Sequence, residues 1–231
     1  MVQALTVVML DTAATAHERR TLLEPGYSIG WHLTRTACVA GAILALALWL
    51  ARDATLVDWL MLPMFWPVAN LVEWTFHRFL MHRPAWPRMI YERHAIAHHR
   101  GFPHDAMTVQ STHELQLVMM PWYTILFVFL LGSPVAILCA LVRGPALAGI
   151  FLVAAVAYFL TYELLHALYH LPAHDWTGLW FIPSRWLLRR RRHHAHHHRL
   201  ERMAHCNFNV TFPWADRLLG TLEHASSDRE P

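Results

Sequence analysis

Ten of the nineteen histidines in this 231-residue chain fall into four clusters whose spacing suits metal ligation. "HRFLMH" carries His77 and His82, and "RHAIAHH" carries His94, His98 and His99. "YELLHALYH" carries His166 and His170, and "RRRRHHAHHHRL" carries His194, His197 and His198. Residues three and four apart share one face of an α-helix. His94 with His98, His166 with His170, and His194 with His197 and His198 can therefore each aim imidazoles at one point. His77 and His82 are five apart and diverge on a regular helix, so either the helix ends between them or each serves a different metal. A tetrahedral zinc site takes about four ligands. Two metals, each with four or five nitrogens, would use all ten rings. Neutral imidazole is the binding form, so occupancy is expected to fall below the free histidine pKa of about 6.5.

The remaining histidines read differently. His17, His32, His113 and His224 are isolated and read as ordinary polar residues, and His104, His174 and His205 lie near the clusters without ligand spacing. His193 and His196 flank the last cluster and could exchange roles with His194, but only His194 stands three and four residues before His197 and His198. "HELQL", residues 113–117, lacks the second histidine of a zinc-protease helix. Glu163 and His166 form a single E-x-x-H, whereas carboxylate di-iron bundles use a pair of them plus two further glutamates. Glu163 is read instead as an acceptor for a ligand N–H. Cys38, Cys139 and Cys206 are too scattered for a disulfide framework or a thiolate site. Cys38 and Cys139 fall in apolar runs and read as small buried hydrophobes.

These clusters must be positioned by helices in a membrane. The chain is 55% hydrophobic and 15% charged, against about a quarter charged in soluble proteins. Four apolar stretches stand out: Thr36 to Ala51, Thr55 to about Phe76 with Pro63 and Pro67 inside it, Leu115 to Val142, and Gly144 to Tyr162 with helix continuing toward His170. About 20 residues span a bilayer as helix. The alternative for the last two is a re-entrant pair. With four spans, the two short turns carry only Arg52 and Arg143, leaving seventeen of the nineteen arginines on the other side. That split predicts cytoplasmic polar regions and cytoplasmic termini. The predicted fold is all-α: a multi-pass membrane protein of about four transmembrane helices with a cytoplasmic histidine-rich helical cap. Every histidine cluster would then share one membrane face.

"MVQALTVVML" lacks a basic start and is not expected to be a cleaved signal peptide. All basic residues are arginine, which suggests a GC-rich bacterial genome and so a bacterial inner membrane. The run Arg189–Arg192 is expected to hold the cap against anionic headgroups, at about 1 kcal/mol per residue. No nucleic-acid partner is expected.

At the four clusters the chain resembles the fatty acid hydroxylase/sterol desaturase superfamily of membrane di-iron oxygenases. "HRFLMH", "HAIAHH", "HALYH" and "HAHHH" look like its four histidine boxes, and "NFNVTFPWADRLLGT", residues 207–221, resembles the tail that follows the last box. The resemblance covers about residues 65–222 of a single domain, 1–231. It implies a centre of two iron ions, with dioxygen as co-substrate and hydroxylation of a lipid or fatty-acyl C–H bond. "HHRGFPHD" leans toward the fatty-acyl branch, with a sterol or other lipid desaturase as the alternative. Larger relatives carry a fused haem domain, so electrons here are expected from a separate donor protein. Imidazole suits several metals, and iron comes from the resemblance alone. Trp66, Trp74 and Phe159 are candidates to line an acyl channel, with ordinary packing as the competing role. A non-enzymatic membrane metal transporter or store is the contrasting class. It would place ionisable ligands near the bilayer midplane, whereas these clusters fall at predicted helix ends.

Overall fold

The computed structural model describes residues 17, 19–172 and 184–223. His174, His224 and "MVQALTVVML" lie outside the described residues. Every regular element among the described residues is helical, as the composition predicts. The chain divides into two compact units. One takes in Ser28–Val72 and Met120–Leu164, and the other Met1–Tyr27, Glu73–Met119 and Leu165–Pro231.

The first unit contains α1 (Ile29–Leu50), α2 (Leu56–Trp59) and α4 (Thr124–Arg143), most of α3 (Leu62–Phe76) and most of α5 (Pro145–His170). Helices α1, α4 and α5 are long and apolar enough to cross a membrane. The second apolar stretch, read from sequence as one segment, is instead divided into α2 and α3. A capping box between Thr55 and Asp58 starts α2. Pro63 has no N–H to offer the Trp59 carbonyl four residues back, so the α-ladder cannot continue through it. The third stretch also starts later than expected. Leu115–Val118 is a separate turn, and α4 then runs unbroken through Pro134 to Arg143. Helix α5 does continue to His170.

The order of contacts gives the helix directions within this unit. Ala40 of α1 and Ile125 of α4 pack on Val156 and Phe159 of α5. Cys139 of α4 packs on Leu147 and Ala148 near the start of α5, with Phe65 and Phe151 against them. Helices α1 and α4 are therefore antiparallel to α5. Phe65 meets Phe151 edge-on, and Asn70 donates to the Tyr158 hydroxyl at 2.9 Å, so α3 runs parallel to α5. At Gly149 the backbones of α1 and α5 touch. A Cβ there would stand 2.4 Å from the Ala47 carbonyl oxygen and 2.7 Å from the Ala51 nitrogen. The Arg143 guanidinium pairs with the Asp58 carboxylate, which brings the two short turns together. Outward, α4 leaves Leu130, Leu138, Leu141 and Val142 exposed. A continuous apolar face of this kind marks a membrane surface.

The second unit holds all four histidine clusters. Two of its elements are π-helices, His77–Met81 and Glu92–His98. With α6 (Ser184–His197) and α7 (Trp214–Leu218), they enclose a core in which Trp74 packs against Phe208 and Ala215. The Trp74 indole N–H donates to the Thr221 hydroxyl at 2.8 Å. Trp74 thus packs in the core of this unit, and Phe159 packs in that of the first unit. Trp66 lies edge-on to Tyr158.

Candidate metal centre

Two groups of five histidines assemble in the second unit. His77, His82, His94, His99 and His197 form one, and His98, His166, His170, His194 and His198 form the other, with ligand atoms within 4.8 Å of one another in each. All ten rings are nine-tenths or more shielded from solvent.

The π-helices decide how the rings sort, and here the structure departs from α-helical reasoning. A π-turn closes at i+5 rather than i+4, so residues five apart come to one face. His77 and His82 stack with ring centroids 5.0 Å apart and enter the same group. His94 and His99, also five apart, join them. His94 and His98, which an α-helix would aim at one point, are sent to different groups. On α6 the ordinary period holds for His194 and His198, four apart, while His197 turns to the other group. His166 and His170 share a group, as i and i+4 on α5 predict. Helix α6 turns a stripe of Leu187, Arg191, His194 and His198 inward, so only Arg189 and Arg192 of the arginine run are exposed. Arg191 instead donates to the Thr108 hydroxyl at 2.9 Å.

Backbone carbonyls orient the rings. In the first group, Nδ1 of His77 donates to the Phe208 carbonyl and Nδ1 of His197 to that of Cys206. In the second, Nδ1 of His98 donates to the Leu117 carbonyl (3.0 Å), that of His170 to Met107 (2.7 Å) and that of His198 to Phe102. A neutral ring has one N–H. Once Nδ1 holds it, Nε2 carries a bare lone pair. Yet Nε2 of His77 stands 3.0 Å from Nε2 of His197, with both N–H groups already committed elsewhere. Two lone pairs at that distance repel unless a cation lies between them. The other inward separations are 2.8 Å for His77–His94, 3.2 Å for His94–His99 and 3.0 Å for His82–His197 in the first group, and 3.1 Å for His98–His166, 3.3 Å for His170–His194 and 3.0 Å for His194–His198 in the second. Ligands about 2.1 Å from a shared metal are about 3.0 to 3.4 Å from each other at right-angled to tetrahedral geometry, so the donor sets fit a metal ion in each group.

Protons are a poor substitute for that cation. Burial pushes His77 down to about 4, against the Phe208 carbonyl and Asp216, which favour the charged ring. Burial, reinforced by neighbouring imidazoles, holds His82, His94, His98, His99, His194, His197 and His198 well below the ordinary histidine range. The rings are neutral at physiological pH, the form a metal requires.

Two loops support the carbonyls. The tail loop, 206–211, is held by Asp216, which accepts from the N–H groups of Phe208 (2.9 Å) and Asn209 (2.8 Å) and from the Thr221 hydroxyl (2.7 Å). Glu73 accepts from the N–H groups of Val210 and Thr211 and from the Thr211 hydroxyl. The segment 101–118 supports the second group and also meets His170 through its backbone, where Val109 N–H donates to the His170 carbonyl at 2.9 Å. Sequence reasoning could not find these partners, because a backbone carbonyl has no residue type to recognise. The signal for Asp216 was the tail motif itself.

The other polar residues have separate tasks. His193 Nε2 faces the Asp216 carboxylate at 3.5 Å, His196 faces Glu223 at 3.2 Å, and His104 donates to the Ala195 carbonyl at 2.7 Å. His113 reaches the Glu24 carbonyl, and His205 and His17 are exposed. Glu163 accepts the Met120 N–H at 3.2 Å, a backbone donor that the sequence reading did not include. His196, Cys206 and Glu223 also approach one another. However, Arg202 already pairs with Glu223, and burial drives the Cys206 thiol up to about 12. That trio is an ion-paired brace rather than a thiolate site. Cys139 and Cys206 are buried, whereas Cys38 is exposed, contrary to its reading as a buried hydrophobe.

His193 and His194 can be separated experimentally. Alanine at 194 is expected to remove one of two bound metal equivalents, because its Nε2 points into the second group. Alanine at 193 should weaken metal retention by about 10-fold, the lower end of the effect of removing a supporting group, because it acts only through Asp216. Elemental analysis of both purified variants measures this, and equal losses would contradict the assignment.

A fatty acid hydroxylase family model matches residues 62–221. No curated protein and no solved structure matches the chain. The matched region holds all ten clustered histidines, both π-helices and the tail loop, and spans well over half of the sequence. The chain belongs to the fatty acid hydroxylase family.

Proposed function

We propose that this protein is a membrane di-iron oxygenase that hydroxylates a lipid or fatty-acyl C–H bond with dioxygen and electrons from a separate donor protein. The observation that carries this reading is the pair of buried five-histidine groups, each with Nε2 atoms facing one another, within the region matched by the family. His77, His82, His94, His99 and His197 would hold one ion, and His98, His166, His170, His194 and His198 the other. Bound iron supplies dioxygen activation, which no side chain provides. In a hydroxylation, one oxygen atom enters the C–H bond and the other leaves as water, with two electrons and two protons from the donor.

The protein's own part is to fix the rings and exclude water. The carbonyls of Phe208, Cys206, Leu117, Met107 and Phe102 hold the Nδ1–H tautomers of His77, His197, His98, His170 and His198, leaving the Nε2 of those five rings free to ligate. Burial excludes bulk solvent, which protects reactive oxygen chemistry from side reactions. The deciding test is isotopic: oxygen from heavy dioxygen should enter a cellular lipid.

The apolar helices supply the membrane location. We place both termini and the histidine unit in the cytoplasm, in a bacterial inner membrane, with α2 and α3 completing a fourth span. The seventeen-to-two distribution of arginine supports that orientation. In a Cys38→Ser background, Asp53→Cys should react with an impermeant thiol reagent added outside intact cells. Arg88→Cys should react only after permeabilisation, and the opposite pattern would reverse the topology.

A further inference from the structure

Among the described residues Arg19 is the largest fully buried side chain, at 2% exposure, and it lies upstream of the family-matched region. One segment takes four of its five guanidinium N–H groups. Nε donates to the Gly101 carbonyl at 2.6 Å, and Nη2 to the Ala106 carbonyl at 2.7 Å. Nη1 donates to the Thr108 carbonyl at 3.1 Å and to the Glu114 carboxylate at 2.9 Å. The charged plane also covers the Phe102 ring at 4.5 Å from its centroid.

Those anchors bracket the carbonyls that orient the second histidine group. Phe102, whose carbonyl receives His198 Nδ1–H, follows Gly101 directly. Met107, whose carbonyl receives His170 Nδ1–H, sits between Ala106 and Thr108. Glu114 accepts both Arg19 and the Gln110 N–H, and so closes the segment on itself. No comparable bond runs from Arg19 to the tail loop. The carbonyls there that orient His77 and His197 are held by Asp216 and Glu73 instead. Each histidine group thus has its own support.

We infer that Arg19 is a positioning residue for one metal site only, the one formed by His98, His166, His170, His194 and His198. A planar guanidinium can meet four acceptors in fixed directions, whereas a lysine ammonium is a compact donor on a flexible stem. Arg19 therefore sets the two carbonyls that aim His170 and His198, and through them the retention of that ion. The inference rests on the proposal that both groups hold metal.

The test is metal release from purified protein to an excess of chelator, with total metal measured by elemental analysis. The wild type should carry two equivalents and release both slowly. Arg19→Ala should release one equivalent about 10- to 100-fold faster, the range seen when groups supporting metal ligands are removed, and keep the other at the wild-type rate. Arg19→Lys retains the charge opposite Glu114, and with it the fold, and should give an intermediate rate for the same single equivalent. Asp216→Asn should affect the opposite equivalent, so that the double variant loses both. A general loss of stability would accelerate both equivalents together, and that result, or wild-type rates for both in either Arg19 variant, overturns the inference. A wild type that binds no metal would instead overturn the proposed function.

Discussion

Cells expressing the wild-type chain under heavy dioxygen are expected to accumulate a lipid one labelled oxygen heavier than its parent, and cells expressing His98→Ala are expected to lack it. His98 is the sharpest single substitution because of its surroundings. Its Nδ1 is fixed by the Leu117 carbonyl, its Nε2 stands 3.1 Å from that of His166, and its ring lies within 5.1 Å of both His94 in one group and His170 in the other. Alanine there removes a ligand and leaves a void between the two groups. Product should fall at least about 100-fold, the upper end of the effect of disturbing a group that merely supports a ligand. The outcomes separate the chemistries. Label from heavy water would mean hydrolytic metal chemistry, a product two hydrogens lighter would mean desaturation, and equal product from the variant would remove His98 from the site.

The second large effect is on acid stability. The folded pKa of His77 is about 4, against 6.5 for the free ring, because the ring is buried. Between those values the unfolded chain binds a proton that the folded chain refuses. Stability is therefore complete above about pH 6.5 and declines as the pH falls toward 4. For His77 alone the full shift corresponds to about 3 kcal/mol. The other buried rings with lowered pKa act in the same direction. Metal should thus survive acidification that would protonate a free imidazole. Occupancy at about pH 5.5 should stay near its neutral value, and loss should come nearer pH 4, together with unfolding. Elemental analysis and circular dichroism on the same samples would measure this. Half-loss of metal near pH 6.5 from a protein still folded would show that the rings titrate as free histidines.

That prediction shifts the one made from sequence, and the shift shows where sequence reasoning stops. The ten histidines, their clustering and the all-helical apolar character could all be read from residue types and spacing. These are local properties of the chain, and local periodicity carries them. The sorting of rings could not be read in the same way. His94 and His98 looked paired because i and i+4 coincide on an α-helix. A π-turn pairs His94 with His99 instead, and nothing in "HAIAHH" announces a hydrogen bond to the fifth residue. The second apolar stretch divided because a capping box and Pro63 together outweighed its hydrophobic length.

Tertiary structure also assigned the polar residues that are identical by type. Four successive arginines read as one headgroup-binding run, but the helical stripe of α6 turns Arg191 inward to Thr108 while Arg189 stays exposed. Glu163 went to the Met120 N–H because that donor lies beside it in the fold, not in the sequence. Arg19, separated by 82 residues or more from everything it holds, left no trace in its local context. The sequence by itself determined which side chains could ligate a metal and that apolar helices would carry them. Only the folded chain decided which rings face each other, which carbonyls fix their protons and how far burial depresses their basicity. Each of those depends on atoms brought together from distant parts of the chain, and on the water excluded when they meet.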